Sequence, residues 1–233
     1  MPRRNRAGFV AFRVLIFSLF VFGAWLSLTL NGLSIKEQEV RISLDHLQRG
    51  LNVQSETILS RSQELVESGV IPGQYTALYA KVISLVYETE NSGDLYSLKS
   101  VIDAYENALA YNSFRGDLWS RYAVYASQVS GLESRVLLAV DGAIRFGKND
   151  YHTLKDLIFV GVKEWPRLNC HYKKLMLDRI AAGLKKNDVI LSLWNGEHRH
   201  MSIGQYTTAL MTYFDFNENW AKTQVIVCSG KIV

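Results

Sequence analysis

The chain has 233 residues, 48% of them hydrophobic and 21% charged, with only three prolines. These values suit one globular domain with an appendage and argue against a long disordered or collagen-like protein. The formal net charge is +4, and Arg3, Arg4 and Arg6 supply part of it from the extreme N-terminus, so no basic face remains that would mark nucleic acid as a partner.

The first element in the chain is apolar. No charged residue lies between Val14 and Leu30, and the run extends through Asn31 to Leu33, giving 17 to 20 residues. That is about the length of a helix that crosses the hydrocarbon core of a bilayer. Arg13 stands at its edge, where its side chain can snorkel to the headgroups. Trp25 sits within the outer half of the run and matches the interfacial belt poorly. Arg3, Arg4, Arg6 and Arg13 precede the span, whereas Lys36 and Arg41 follow it among Glu37 and Glu39. The positive-inside rule then keeps the N-terminus in the cytoplasm and sends the rest of the chain across. The run is longer than a signal-peptide core and no small-x-small cleavage site follows it, which favours a retained anchor over a cleaved signal. The expected location is a bacterial inner membrane, single-pass, with the C-terminal domain in the periplasm.

This gives a division into a basic N-terminus (1–13), a transmembrane helix (14–33), an amphipathic juxtamembrane helix (34–69), a helical domain (70–194) and a C-terminal loop, helix and tail (195–233). In the juxtamembrane segment Val40, Leu44, Leu47 and Leu51 follow helical spacing, and Ile58 and Leu65 continue a seven-residue series. Such a face either packs onto its own domain or forms a short coiled coil that makes a homodimer through residues 40–65. Gly50 and Gln54 weaken the pattern.

"GVIPG" at 69–73 then breaks the helix. Helical patterns follow over 74–91, 95–112, 118–129, 132–147, 151–165 and 169–187, separated by turn residues such as Gly131, Gly147 and Pro166. Short turns favour antiparallel neighbours. Only the last stretch departs from this: Val225, Ile226 and Val227 are consecutive β-branched residues that suit a short C-terminal strand. The expected fold class is all-α.

Within this series the chain aligns on itself. "YENALAYNSFRGDLWSRYAVYAS" lines up with "VDGAIRFGKNDYHTLKDLIFVGV", setting Ala108 on Ala143 at a spacing of 35 and Trp119 on Thr153 at 34. Tyr105, Ala108 and Leu109 are followed by the turn "NSFRGD", with Ser113 in it. Trp119, Tyr122 and Ala123 then begin a new helix, and Gly131 and Ala143 follow. The segment from Tyr105 to Asp150 resembles the tetratricopeptide repeat, whose period is 34 residues. Ser113 stands where that family commonly has proline, and Thr153 where the next aromatic belongs. The resemblance implies two to three irregular stacked hairpins. Anchored proteins with degenerate repeats of this kind are similar to accessory proteins of bacterial envelope polysaccharide synthesis and export. As an interaction surface it implies Tyr111, Arg115, Trp119, Tyr122, Tyr125 and Tyr151, although aromatics at this density also serve as packing residues between helices.

Catalytic patterns are weak. His198 and His200 flank Arg199 after Glu197, and two histidines at that spacing face one metal only on a strand or an irregular loop. His171 adjoins Cys170, but sequence neighbours on a helix do not face each other. No phosphate-loop or dinucleotide motif occurs. No enzyme activity, cofactor or metal is expected. Cys170 and Cys228 are a candidate disulfide outside the cytoplasm, or else two separate buried thiols. The expected function is a membrane-anchored, extracytoplasmic protein-interaction scaffold or assembly factor with protein partners at the membrane. The alternative is a structural single-span subunit of a larger membrane complex. In that case Phe9, Phe12, Phe17, Phe20 and Phe22 would meet partner helices.

Overall fold

Turn and capping residues set the boundaries of eight α-helices, and no strand occurs among the described residues. The structure is a computed structural model and describes residues 5–89, 97–147, 150–165, 167–186, 189–190 and 209–210. The chain divides into two compact units, Met1–Asn91 and Ser92–Val233. The Val225–Val227 strand expectation and the His198/His200 loop lie outside the described residues.

The first unit contains α1 (Asn5–Gln48), α2 (Ser55–Ser68) and α3 (Thr76–Thr89). α1 is 44 residues long and carries the apolar run straight into the amphipathic segment without a break. It is the one described helix long and apolar enough to span a membrane, and no residue of its most apolar stretch is buried. Further along, Leu33, Val40 and Leu47 repeat every seven residues and are buried. Their partners lie on α2, whose buried face is Ile58, Leu59, Ser62 and Leu65. Each apolar side chain among them contributes about 1.5–3 kcal/mol when fully buried.

The single helix expected over 34–69 is therefore two helices folded back on each other. Gly50 is the reason. Its φ is +70°, a conformation that costs other residues about 1–2 kcal/mol. The Gly50 amide donates to Leu47 O at 3.0 Å and the Leu51 amide to His46 O at 3.0 Å, the paired bonds of a Schellman helix stop. Leu51, counted into the apolar face by its spacing, is 52% exposed just past that stop. α3 packs on α2 and α1 within this unit, although the sequence expectation groups it with the hairpins that follow.

The second unit contains α4 (Leu98–Tyr111), α5 (Gly116–Ala126), α6 (Glu133–Gly147), α7 (Tyr151–Glu164) and α8 (Cys170–Leu184). Three of their starts are capped by side chains: Ser97 accepts from the Ser100 amide, Asp150 from Thr153 and Asn169 from Tyr172. Each cap contributes about 1 kcal/mol. α5 is central. It pairs with α6 across the turn at Gly131, and it also packs against α4 and α7. α7 pairs in turn with α8, and α6 touches α8. Two hairpins, α5–α6 and α7–α8, thus stack side by side.

Small residues make these approaches close. A Cβ on Gly142 would lie 2.5 Å from the Trp119 ring, so α5 seats its tryptophan directly on the α6 backbone. A Cβ on Gly116 would fall 2.0 Å from the Gly147 Cα, which joins the start of α5 to the end of α6.

Candidate functional site

The second unit has recesses at both ends of α5. At its N-terminal end the turn before α5 and the turn before α7 come together. Phe114 and Phe146 meet edge to face there, with ring centroids 5.4 Å apart. Phe114 is 80% exposed although it is a large apolar side chain. With Arg115, Asp150, His152 and Thr153 these rings line an open recess of about 310 Å³. Arg115 does not reach freely into it. Its guanidinium forks onto Asp117, Nε to Oδ1 at 3.1 Å and a terminal nitrogen to Oδ2 at 2.6 Å. Asp150 is held as the α7 cap, accepting from the Thr153 amide at 3.0 Å and its hydroxyl at 3.1 Å.

The residues expected to form an interaction surface divide between this corner and the core. Tyr111 is exposed at the end of α4, and Arg115 lies in the recess. Tyr151 is half-buried, its ring centroid 4.9 Å from that of His152. Trp119 is half-buried: its indole donates to Ser113 O at 2.7 Å and holds the preceding turn against the helix. Tyr122 and Tyr125 are corrections. Tyr125 is 2% exposed and stacks on the buried Tyr105 at 5.6 Å, so it is core. Tyr122 is buried as well, and its hydroxyl donates to Glu106 Oε1 at 2.6 Å while Arg135 pairs with the same carboxylate. Burial, and then the Glu106 carboxylate, push that hydroxyl up to about 12. Both tyrosines lie on α5, which packs against α4, α6 and α7, and for that reason they turn inward. Phe114, Phe146 and His152 were not singled out from the sequence. The available signal was Phe114 itself, a lone aromatic in the otherwise polar turn "NSFRGD".

At the other end of α5 a second recess of about 200 Å³ lies between the Gly131 turn and the end of α7, lined by Gln128, Ser130, Glu133, Lys163, Glu164 and Arg167 among others. Its charges are mixed, and Arg167 lies 3.7 Å from the buried Glu164.

Between the two ends, Asp156 of α7 is buried against α5. Its carboxylate accepts from the Ser120 hydroxyl at 3.0 Å and faces Arg121 Nε at 3.5 Å. Burial raises its pKa, with Arg121 and then Ser120 opposing that shift. The group ties two hairpins together and opens into neither recess. Among the described residues no three His, Cys, Asp or Glu side chains gather as metal ligands. Cys170 opens α8, whereas Cys228 lies outside the described residues.

No family model, curated protein or solved structure matches the chain.

Proposed function

We propose that the protein is a membrane-anchored interaction scaffold. α1 crosses a bacterial inner membrane with its N-terminus in the cytoplasm, and the helical units stand in the periplasm. The observation that carries this reading is the division of α1 into an unburied apolar stretch and a packed amphipathic one. A soluble helix would bury that apolar stretch against its own domain. The α5–α6 and α7–α8 hairpins pack side by side, and stacked hairpins offer extended surfaces to protein partners. The exposed Phe114, which meets Phe146 edge to face in the recess, is the aromatic anchor of the surface proposed here. Service to envelope polysaccharide assembly rests on the family resemblance alone.

A second reading, a structural subunit of a larger membrane complex, is favoured by one feature. Phe17, Phe20 and Phe22 are all exposed on the apolar part of α1, where partner helices would meet them.

Affinity purification from native membranes in mild detergent, read by mass spectrometry, tests both. Three chains are compared: the full-length protein, its Phe114→Ala/Tyr111→Ala variant, and a chain whose 14–33 segment is exchanged for an unrelated apolar span. Loss of the recovered partner from the double variant alone supports the scaffold. Loss from the exchanged chain alone gives the lead to the subunit.

A further inference from the structure

Two ion pairs fix the register of α1 on α2. Lys36 Nζ lies 3.3 Å from Glu64 Oε2, and an Arg61 guanidinium nitrogen lies 3.1 Å from Glu39 Oε2. A step of three residues up α1 is a step of three residues down α2, as in any antiparallel pair. Continued by one more turn, the same register sets Ser68, the last residue of α2, opposite Gly32. The turn after α2 then lies at the level of the final residues of the apolar run. Burial on α1 agrees with that level. Leu33 is buried, and Thr29 and Leu26, four and seven residues before it on the same face, are half-buried.

That turn is apolar and uncovered. Val70 is 47% exposed and Ile71 64%, and Pro72 beside them is exposed too. No charged residue stands between Glu67 and Lys81. Hydrogen bonds brace the side of the turn that leads into α3: the Gln74 amide donates to Ile71 O at 3.0 Å, the Thr76 hydroxyl to Gly73 O at 2.8 Å, and Gly73 has φ +74°. Pro72 has no N–H to leave unpaired. Three consecutive exposed apolar residues suit the boundary between headgroups and acyl chains.

We propose that the Val70–Ile71–Pro72 turn inserts into the bilayer leaflet from which α1 emerges, as a second lipid contact beside the transmembrane helix. The proposal rests on the reading of α1 as a membrane span. Its occupant is lipid, because the register places the turn level with a segment that lipid already surrounds. With the transmembrane contact alone, α1 and the helices packed on it tilt as one body. A second contact restrains that tilt and holds the first unit near the membrane surface.

The test uses the full-length chain, native cysteines included, in phosphatidylethanolamine–phosphatidylglycerol vesicles. The photoreactive residue benzoylphenylalanine is placed at Leu19, Leu51 or Ile71, one position per chain, and lipid adducts are read by intact-protein mass spectrometry. Leu19 lies within the apolar run, and Leu51 is at the far end of the same hairpin with similar exposure. The expected result is lipid adducts at 19 and 71, with many-fold fewer at 51. Adducts at 19 but as few at 71 as at 51 overturn the inserted turn and leave the anchor standing. Adducts at none of the three overturn the anchor and the inserted turn together.

Discussion

Asp156 shows how much a single residue depends on its surroundings. In sequence it is one of many carboxylates at helical spacing; in the structure it is buried between α5 and α7 with Ser120 and Arg121. Its folded pKa is raised, chiefly by burial. A raised acid pKa means that the folded state prefers the protonated form. The favourable contribution is therefore complete below the unfolded aspartate value of about 3.9 and is lost as pH rises through the folded value. Asp156→Asn removes that dependence. Urea unfolding of both proteins across the acid range should show the stability of the variant relative to the parent increasing from about pH 4 upward. A difference that is flat with pH would mean that Arg121 fully compensates the burial. The tyrosines teach the same lesson from the other side. Tyr111, Tyr122 and Tyr125 have equal claims to a surface when read from sequence, and only the packing of α5 among its neighbours makes two of them core. Conversely, Phe114 looks like a core residue by type and is 80% exposed, because a polar turn cannot bury it.

At the scale of elements, α4 to α8 were legible because each helix is bounded by residues with a clear local role. Asp150 and Asn169 cap, and Gly131 takes φ +89° between α5 and α6. The α1–α2 hairpin was not legible, since Val40, Leu47, Ile58 and Leu65 keep a helical rhythm across the break. In a hairpin both arms turn an apolar stripe toward each other, and sequence spacing does not distinguish two facing stripes from one long one. Only Gly50 carried the information, and a lone glycine in a helical pattern reads equally as a weak spot. Its weight can be measured. Gly50→Val forces a β-branched residue to φ +70°. The variant should lose about 1–2 kcal/mol in denaturant unfolding of the detergent-solubilised protein. An unchanged midpoint would show that the helix stop does not depend on the left-handed glycine. The Phe114 corner, the proposed interaction surface, was half legible for a related reason. Tyr111, Arg115 and Tyr151 were drawn from the repeat resemblance, but Phe146 and His152 enter only because the turns before α5 and α7 fold to the same end.

For the whole molecule, the proposed orientation and the chemistry of the thiols bear on each other. Both cysteines lie beyond the apolar run, so the proposed topology places both in an oxidising compartment. A bond between Cys170 and Cys228 would close a loop whose entropy in the unfolded chain corresponds to about 4 kcal/mol of stabilisation. The opposite orientation puts the same residues in the cytoplasm, where glutathione keeps thiols reduced. Acid-quenched cells separate the cases. Alkylation of the denatured protein before reduction should add no label, and alkylation after reduction should add two labels per chain. Two labels before reduction would set the helical units on the cytoplasmic side, and the scaffold would then have to find its partners there. Orientation decides which partners can be reached at all, so this measurement bears on the function more directly than any single substitution at the Phe114 corner.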